Sequence, residues 1–428
     1  MKKLLSLLVV LAQPLHAEII DLSEHTTLKG AYLIEQPSAE FVTVQTLLNV
    51  GEADYDGPEG LAHYLEHLVW YSADRAHGQG QKNRISNAWV NKAFTNYWNA
   101  SEPSELEKVF ATSARIFAPL TINPKFAREE RDIVEREFEF RTVDNAPQLL
   151  AIQMEKTLLP GHALSRSIIG TRDSLAQITP EMAAAFKDKW YWPNNATLLV
   201  SGPVTQRDIV PLLKRHFGAL TQGDVPVHAA TKPVVWDKRA LSTTFTHPKV
   251  SEPFFGIHIK APAPAEMPEE MRYRSVQLLS HLLDSSTKSS PRTVLYYNGF
   301  ILNRIDVFAW YDQAGTINLF IEAVPEEDVP LETALAETQA YFAGLTTVPK
   351  DEFDQISGAL VEQISREKRN TRVEREIAFQ GMREQGVPYD ADAYLDTLRA
   401  VTPEHLASLL KAFQSNSISV TGIAYPEE

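Results

Sequence analysis

The chain has 428 residues, 44% of them apolar, with 41 basic against 55 acidic side chains and a formal net charge of −14. That balance argues against a general nucleic-acid binder, which would need a basic patch, and the apolar content suffices for proper cores in two or three domains. There is no cysteine, so disulfides and thiolate sites are excluded and any metal must be held by histidine and carboxylate.

Residues 1–17 read as an export signal, with Lys2 and Lys3 ahead of an apolar run and Leu15-His-Ala17 as a cleavage site. The apolar run is about nine residues, too short to span a bilayer. No later stretch is long and apolar enough for a membrane helix, so the expectation is an exported, periplasmic protein with no membrane span. Strand patterns follow over 31–35 and 40–51, where β-branched residues partly alternate. A turn over 54–60, rich in Gly, Pro and Asp, delivers the chain into the segment GLAHYLEHLVW, residues 60–70. Residues 72–82 are polar and read as a loop, and 89–98 as a strand punctuated by aromatics. Residues 104–117 have helical spacing and open on Ser104-Glu-Leu-Glu107, close to a capping box. The acidic run 129–141 is helix-prone, as is 146–155. Residues 161–170 read as a loop in which His162, lacking a partner at helical spacing, is structural. A helix from Thr179-Pro-Glu181 and a strand over 194–202 complete this portion.

The chemistry concentrates in residues 60–70. His63 and His67, four apart, share one face of a helix about one turn from each other, close enough to hold one metal ion. Glu66 leans toward the same face without having to be a ligand. Zinc accepts neutral imidazole nitrogens and, in catalytic sites, keeps a position open for water. A carboxylate beside that water can take its proton and pass it to a leaving amine. In the acidic run, Glu130 and Glu137 are seven apart and face the same way, and Glu137 lies 70 residues beyond His67.

His-x-x-Glu-His followed some seventy residues later by Glu-x6-Glu resembles the pitrilysin and insulinase metallopeptidases. The resemblance implies His63, His67 and Glu137 as ligands of one Zn²⁺ per chain, Glu66 as the general base, and Glu130 as a catalytic-site carboxylate supporting a ligand. It also implies peptide substrates, held by strand addition along an edge strand whose pattern often reads Asn-Ala-x-Thr. Here the segment is Asn91-Lys-Ala-Phe-Thr95, which makes Asn91, Ala93 and Phe94 candidate substrate contacts.

The unit Thr179-Pro-Glu, helix, strand recurs as Thr402-Pro-Glu, helix, strand, an offset of 223 residues, and Pro124-Lys125 is echoed by Pro349-Lys350. Such a period signals duplicated domains. The expected fold is therefore α+β, with two homologous tandem domains, each a mixed β-sheet backed by helices, enclosing a cleft. The expected divisions are 1–17 signal, 18–221 metal-bearing domain, 222–235 linker and 236–428 a second domain without the motif. Residues 271–284 of that second domain offer only His281. In many relatives this half supplies an Arg-x6-Tyr pair that grips substrate. It cannot be placed here, where Tyr296 stands at the arginine's expected position and Arg292 and Tyr297 lie nearby. The resemblance thus implies a homodimer, or a heterodimer with a homologous subunit that supplies the gripping residues. Two other readings stay open: a partner-dependent binding or assembly subunit, and a metal hydrolase acting on another bond.

Overall fold

The computed structural model describes residues 18–75, 85–228 and 234–427. The expected signal, 1–17, lies outside them. The first sheet is built from β1 (Ile19–Asp21), β2 (Gly30–Glu35), β3 (Val42–Leu48), β4 (Ile85–Val90), β5 (Thr95–Ser101) and β6 (Ala196–Gly202). Its helices are α1 (Leu61–Trp70), α2 (Leu106–Ala114), α3 (Pro124–Phe138), α4 (Ala146–Leu158), α5 (Arg172–Gln177), α6 (Pro180–Trp190) and α7 (Gln206–Phe217). The second sheet comprises β7 (Ala240–His247), β8 (Phe254–Pro262), β9 (Leu302–Tyr311), β10 (Thr316–Pro325) and β11 (Ile418–Pro426). It is accompanied by α8 (Glu269–Leu283), α9 (Leu331–Gly344), α10 (Lys350–Glu367), α11 (Thr371–Gln385), α12 (Ala391–Arg399) and α13 (Pro403–Ser415).

The two sheets share one topology. Their orders are β1-β2-β6-β3-β5-β4 and β7-β11-β8-β10-β9, so that β1 apart, each strand of the first has a counterpart in the second. Both contain a single parallel pair, β2 with β6 and β7 with β11, and are otherwise antiparallel. Two mixed sheets backed by helices are the expected α+β architecture.

Successive strand residues point to opposite faces, and both faces of the first sheet are covered. Leu33, Val44, Leu198 and Val200 enter a large core with α1, α2, α6 and α7, while Ile34, Leu47 and Leu199 turn the other way. This burial on two faces explains the almost unbroken apolar run of β6.

What covers the second face could not be read from the sequence. Ala378 and Met382 of α11, from the far half of the chain, pack against Ile34, Leu47 and Leu199. Reciprocally, Leu150, Met154 and Leu158 of α4 pack against Phe254, Ile418 and Val420 of the second sheet. Helix α4 approaches so closely that a Cβ on Gly422 would lie 2.7 Å from both Leu150 Cδ1 and Met154 Sδ. Each half therefore lends one helix to the other.

Three local expectations are corrected. Residues 89–98 are two strands, β4 and β5, joined by a tight turn, because Asn91 Oδ1 accepts from the amides of Ala93 (2.8 Å) and Phe94 (2.7 Å) and folds the chain back. Helix α2 has Glu105 at its N-cap and no side-chain capping bond, after a 3-10 turn at Pro103–Glu105, so the Ser104 capping box does not form. Of the stretch 72–82 read as a loop, residues 72–75 instead continue α1 as a π-helical turn, Tyr71–Arg75, and 76–82 lie outside the described residues.

Candidate metal centre

Helix α1 is fixed at its start by a buried carboxylate. Glu52, wholly inaccessible, accepts from the amides of Gly60 (3.0 Å) and Ala62 (3.1 Å) and pairs with Arg166 Nη2 at 2.7 Å. This places negative charge on otherwise unpaired N-terminal amides. Burial pushes the Glu52 carboxyl up to about 7, against the opposing pull of Arg166 and the two amides. Gly60 at φ +92° supplies the turn into the helix, and a Cβ there would meet Ile169 O at 2.9 Å. Helix α3 starts on Asn123, which accepts from the amides of Lys125 and Phe126, and Tyr64 of α1 donates to Ala127 O of α3 at 2.8 Å. Both helices run on into π-helical turns, Tyr71–Arg75 and Glu139–Val143, a deviation frequent near functional sites.

This frame brings His63, His67 and Glu137 together, with one potential ligand atom from each lying within 4.8 Å of the others. Nε2 of His63 is 3.5 Å and Nε2 of His67 4.0 Å from Glu137 Oε2. Glu66 Oε2 stands 4.0 Å from His63 Nε2. Behind the triad, Glu130 Oε2 lies 2.9 Å from His67 Nδ1. That contact calls for the proton on Nδ1 and leaves the Nε2 lone pair facing Glu137.

The electrostatics suit a cation. Burial, then His67 and Arg141, depress His63 to about 3, so it is neutral, the form that binds metal. His67 is raised: burial works against this, but the Glu130 hydrogen bond and the charges of Glu66 and Glu137 outweigh it. Burial also pushes the Glu66 carboxyl up to about 7, with Glu137 and Glu130 adding to the rise against His67 and Arg141. Glu137 Oε2 and His63 Nδ1 are buried without a hydrogen-bond partner. Arg141 Nη2 stands 3.6 Å from Glu137 Oε2, and a carboxylate oxygen with no hydrogen bond beside two inward-turned imidazoles fits a divalent ion with nitrogen and oxygen ligands.

The triad opens onto a cleft of ≈ 1770 Å³ whose opposite wall comes from the second sheet, including His258, Lys260, Phe308 and Trp310. Of the weaker candidates, Asn91 and Ala93 line this cleft, at the end of edge strand β4. Phe94 does not; its side chain is buried with Leu47, Leu199 and Met382. His162 accepts from the Leu164 amide and caps a 3-10 turn. Arg292, Tyr296 and Tyr297 are absent from the cleft lining; Arg292 pairs with Asp284 instead. Arg304 and Tyr311 have Arg-x6-Tyr spacing and both border the cleft, but seven steps along β9 reverse the face. Tyr311 instead meets Tyr273 and accepts from Arg272. The contribution of β9 had no local signal in the sequence beyond the alternation of Arg304, Phe308 and Trp310 onto one face.

Comparison with known proteins is consistent with this geometry. Residues 31–172 match the family model described as insulinase (peptidase family M16), and residues 177–360 the model described as peptidase M16 inactive domain. A relative named zinc protease PqqE, from Helicobacter pylori, is 29% identical over 231 residues, 51% of this chain and 52% of its own length. The matches to such curated relatives span about half of those proteins. The fold superimposes on the crystal structure of a protease from Helicobacter pylori with TM-score 0.79 at 18% identity, covering 96% of this chain and 100% of that one. It also matches the periplasmic protease PqqL from Escherichia coli with TM-score 0.72 at 15% identity, covering 95% of this chain and 48% of the other. With the two models adjoining along the chain and the paired sheets arranged as in these peptidases, the chain belongs to the pitrilysin/insulinase family, peptidase family M16.

Proposed function

We propose that the protein is a zinc metalloendopeptidase that hydrolyses peptides or unfolded protein segments. The observation that carries this reading is the convergence of His63, His67 and Glu137 on one point at the wall of a peptide-sized cleft, with Glu66 alongside. His63, His67 and Glu137 would hold the ion, and Glu130 would keep His67 turned toward it. Bound there, zinc supplies Lewis acidity toward a carbonyl and brings the pKa of water near neutrality. Glu66 takes the proton of the attacking water and returns it to the leaving amine. Edge strand β4 offers unpaired backbone groups to an extended chain, and the Asn91 to Ala93 turn sits at its end, so main-chain pairing tolerates varied side chains. The cleft walls exclude folded domains. Seven basic and seven acidic side chains line the cleft, so the net charge of −14 lies mainly elsewhere and does not select basic peptides.

The reading extends to the whole protein. Its divisions are taken as 18–221, a linker at 222–235, and 236–428. Export to a periplasm rests on the leader-like residues 1–17 and on the neighbour described as periplasmic. A partner-dependent form has its own support: among the described residues the one Arg-x6-Tyr pair bordering the cleft, Arg304 and Tyr311, is split between the two faces of β9, and the PqqL chain is about twice as long, so two such chains make one of that size. The decisive experiment is Glu66→Gln. It should retain one zinc per chain by metal analysis and lose about 10²- to 10⁴-fold in peptide turnover. Retained turnover removes Glu66 as the base. Turnover by wild type only after addition of a homologous chain favours the partner-dependent form.

A further inference from the structure

The two halves differ at equivalent edge strands. In the first half, the aromatic of β4 that borders the cleft, Trp89, is covered by α11: Phe379 meets it edge-on with ring centroids 6.2 Å apart, and the Arg383 guanidinium lies 5.7 Å from its ring centre. Among the described residues, no helix covers the counterpart strand of the second half, β9, in this way. Its cleft-facing aromatics Phe308 and Trp310 remain 52% and 39% exposed. Helix α4 shields the β11 side of that sheet and stops short of them.

These side chains belong to a prepared surface. Phe308 stands opposite Phe320 of β10, which stands opposite His258 of β8, so three rings form a row across the sheet. Trp310 leans on His258 with centroids 5.4 Å apart, and Phe320 meets the same ring at 5.7 Å. His258 is itself held: Nδ1 lies 3.3 Å from Glu155 Oε2 and Nε2 3.3 Å from Asn318 Oδ1. Burial lowers it to about 4, so the floor of the row is uncharged. The neighbouring Arg304 is neutralised by Asp306 and Glu322. An aromatic surface whose charged neighbours are paired with one another favours an uncharged aromatic or large aliphatic group.

We infer that Phe308, Trp310 and Phe320 form a specificity subsite that takes an aromatic or large aliphatic side chain of the peptide, on the wall opposite the metal triad. The inference rests on the peptidase reading for its occupant, because the same cleft holds both surfaces. A side chain seated there anchors one flank of the peptide while β4 pairs with the chain nearer the metal, and so the subsite selects substrates by a residue away from the scissile bond.

The test is calorimetric binding to the Glu66→Gln protein, with zinc and with chelator. The probes are peptides of one sequence in which each position in turn is Phe, Leu, Ala or Lys. At one position Phe and Leu should bind roughly tenfold more tightly than Ala, with Lys no better than Ala. In Phe308→Ala/Trp310→Ala that preference should collapse toward one. Phe308→Ser alone, at an exposed site, should lower it partway, which guards against misfolding of the double variant. No preference in the parent protein, or a preference untouched by these substitutions, overturns the subsite and leaves the peptidase reading standing. Absence of any peptide binding together with absence of cleavage by the wild type overturns both. A change of sedimentation state in the variants, with peptide binding unaltered, also overturns the subsite, by assigning this face to a second copy of the chain.

Discussion

The two halves treat buried ionisable side chains differently at their equivalent helices, α1 and α8. Around α1, His63 Nδ1 and Glu137 Oε2 are buried without hydrogen-bond partners, and two imidazole nitrogens face a carboxylate too far away for a hydrogen bond. Around α8, the corresponding helix of the second half, Arg274 is 1% exposed and fully engaged. It pairs with Glu384 of α11, donates to Gln277 Oε1 at 2.5 Å, and lies 4.3 Å from the ring centre of Tyr394. Duplicated architecture thus supports two solutions to one problem. A buried charged cluster either satisfies itself, as a structural joint, or stays incomplete in a way that an ion can complete.

Substitutions can separate these roles. The largest effect on stability is expected from Arg274→Ala, which strands Glu384 in the interior and should cost about 3–5 kcal/mol. Calorimetric unfolding measures it, and zinc stoichiometry of the folded protein should be unchanged. A loss of metal in that variant would show that the halves are not functionally divided. Smaller, and opposite in kind, is Glu130→Gln. By weakening the support behind His67 it should lower zinc affinity on the order of tenfold, read by competition with a chelator, while leaving the thermal midpoint of the metal-free protein nearly unmoved. Of similar size is Gly422→Val, which crowds Leu150 and Met154 where α4 crosses the second sheet. It should destabilise by about 1–3 kcal/mol and, because α4 belongs to the metal-bearing half, broaden unfolding of both halves together. A separate, earlier transition of the second half alone would contradict the helix exchange.

Much of the site was legible in the sequence because its signals are local. Two histidines at helical spacing and two glutamates seven apart specify a face each, and the duplicated Thr-Pro-Glu units disclosed the tandem plan. Only the meeting of α1 with α3 is tertiary, and there the resemblance supplied what periodicity could not. The misreadings arose where one side chain overrode a pattern. Asn91 uses its own carbonyl to bend an apparently continuous strand, and Phe94, next to it, serves the core between the halves. The exchange of α4 and α11 left no mark in local pattern, since an amphipathic helix reads the same whichever sheet it covers. The open aromatics of β9 were invisible for the same reason: exposure depends on where a helix from elsewhere ends.

The exchange of helices has a mechanical corollary. Prising the walls of the cleft apart would strip Met382 from one sheet and Met154 from the other, exposing apolar surface on both sides at once. The gap between the walls is consequently set by the protein's own interior and not by what enters it. On the peptidase reading proposed above, a substrate would have to fit that gap as it stands.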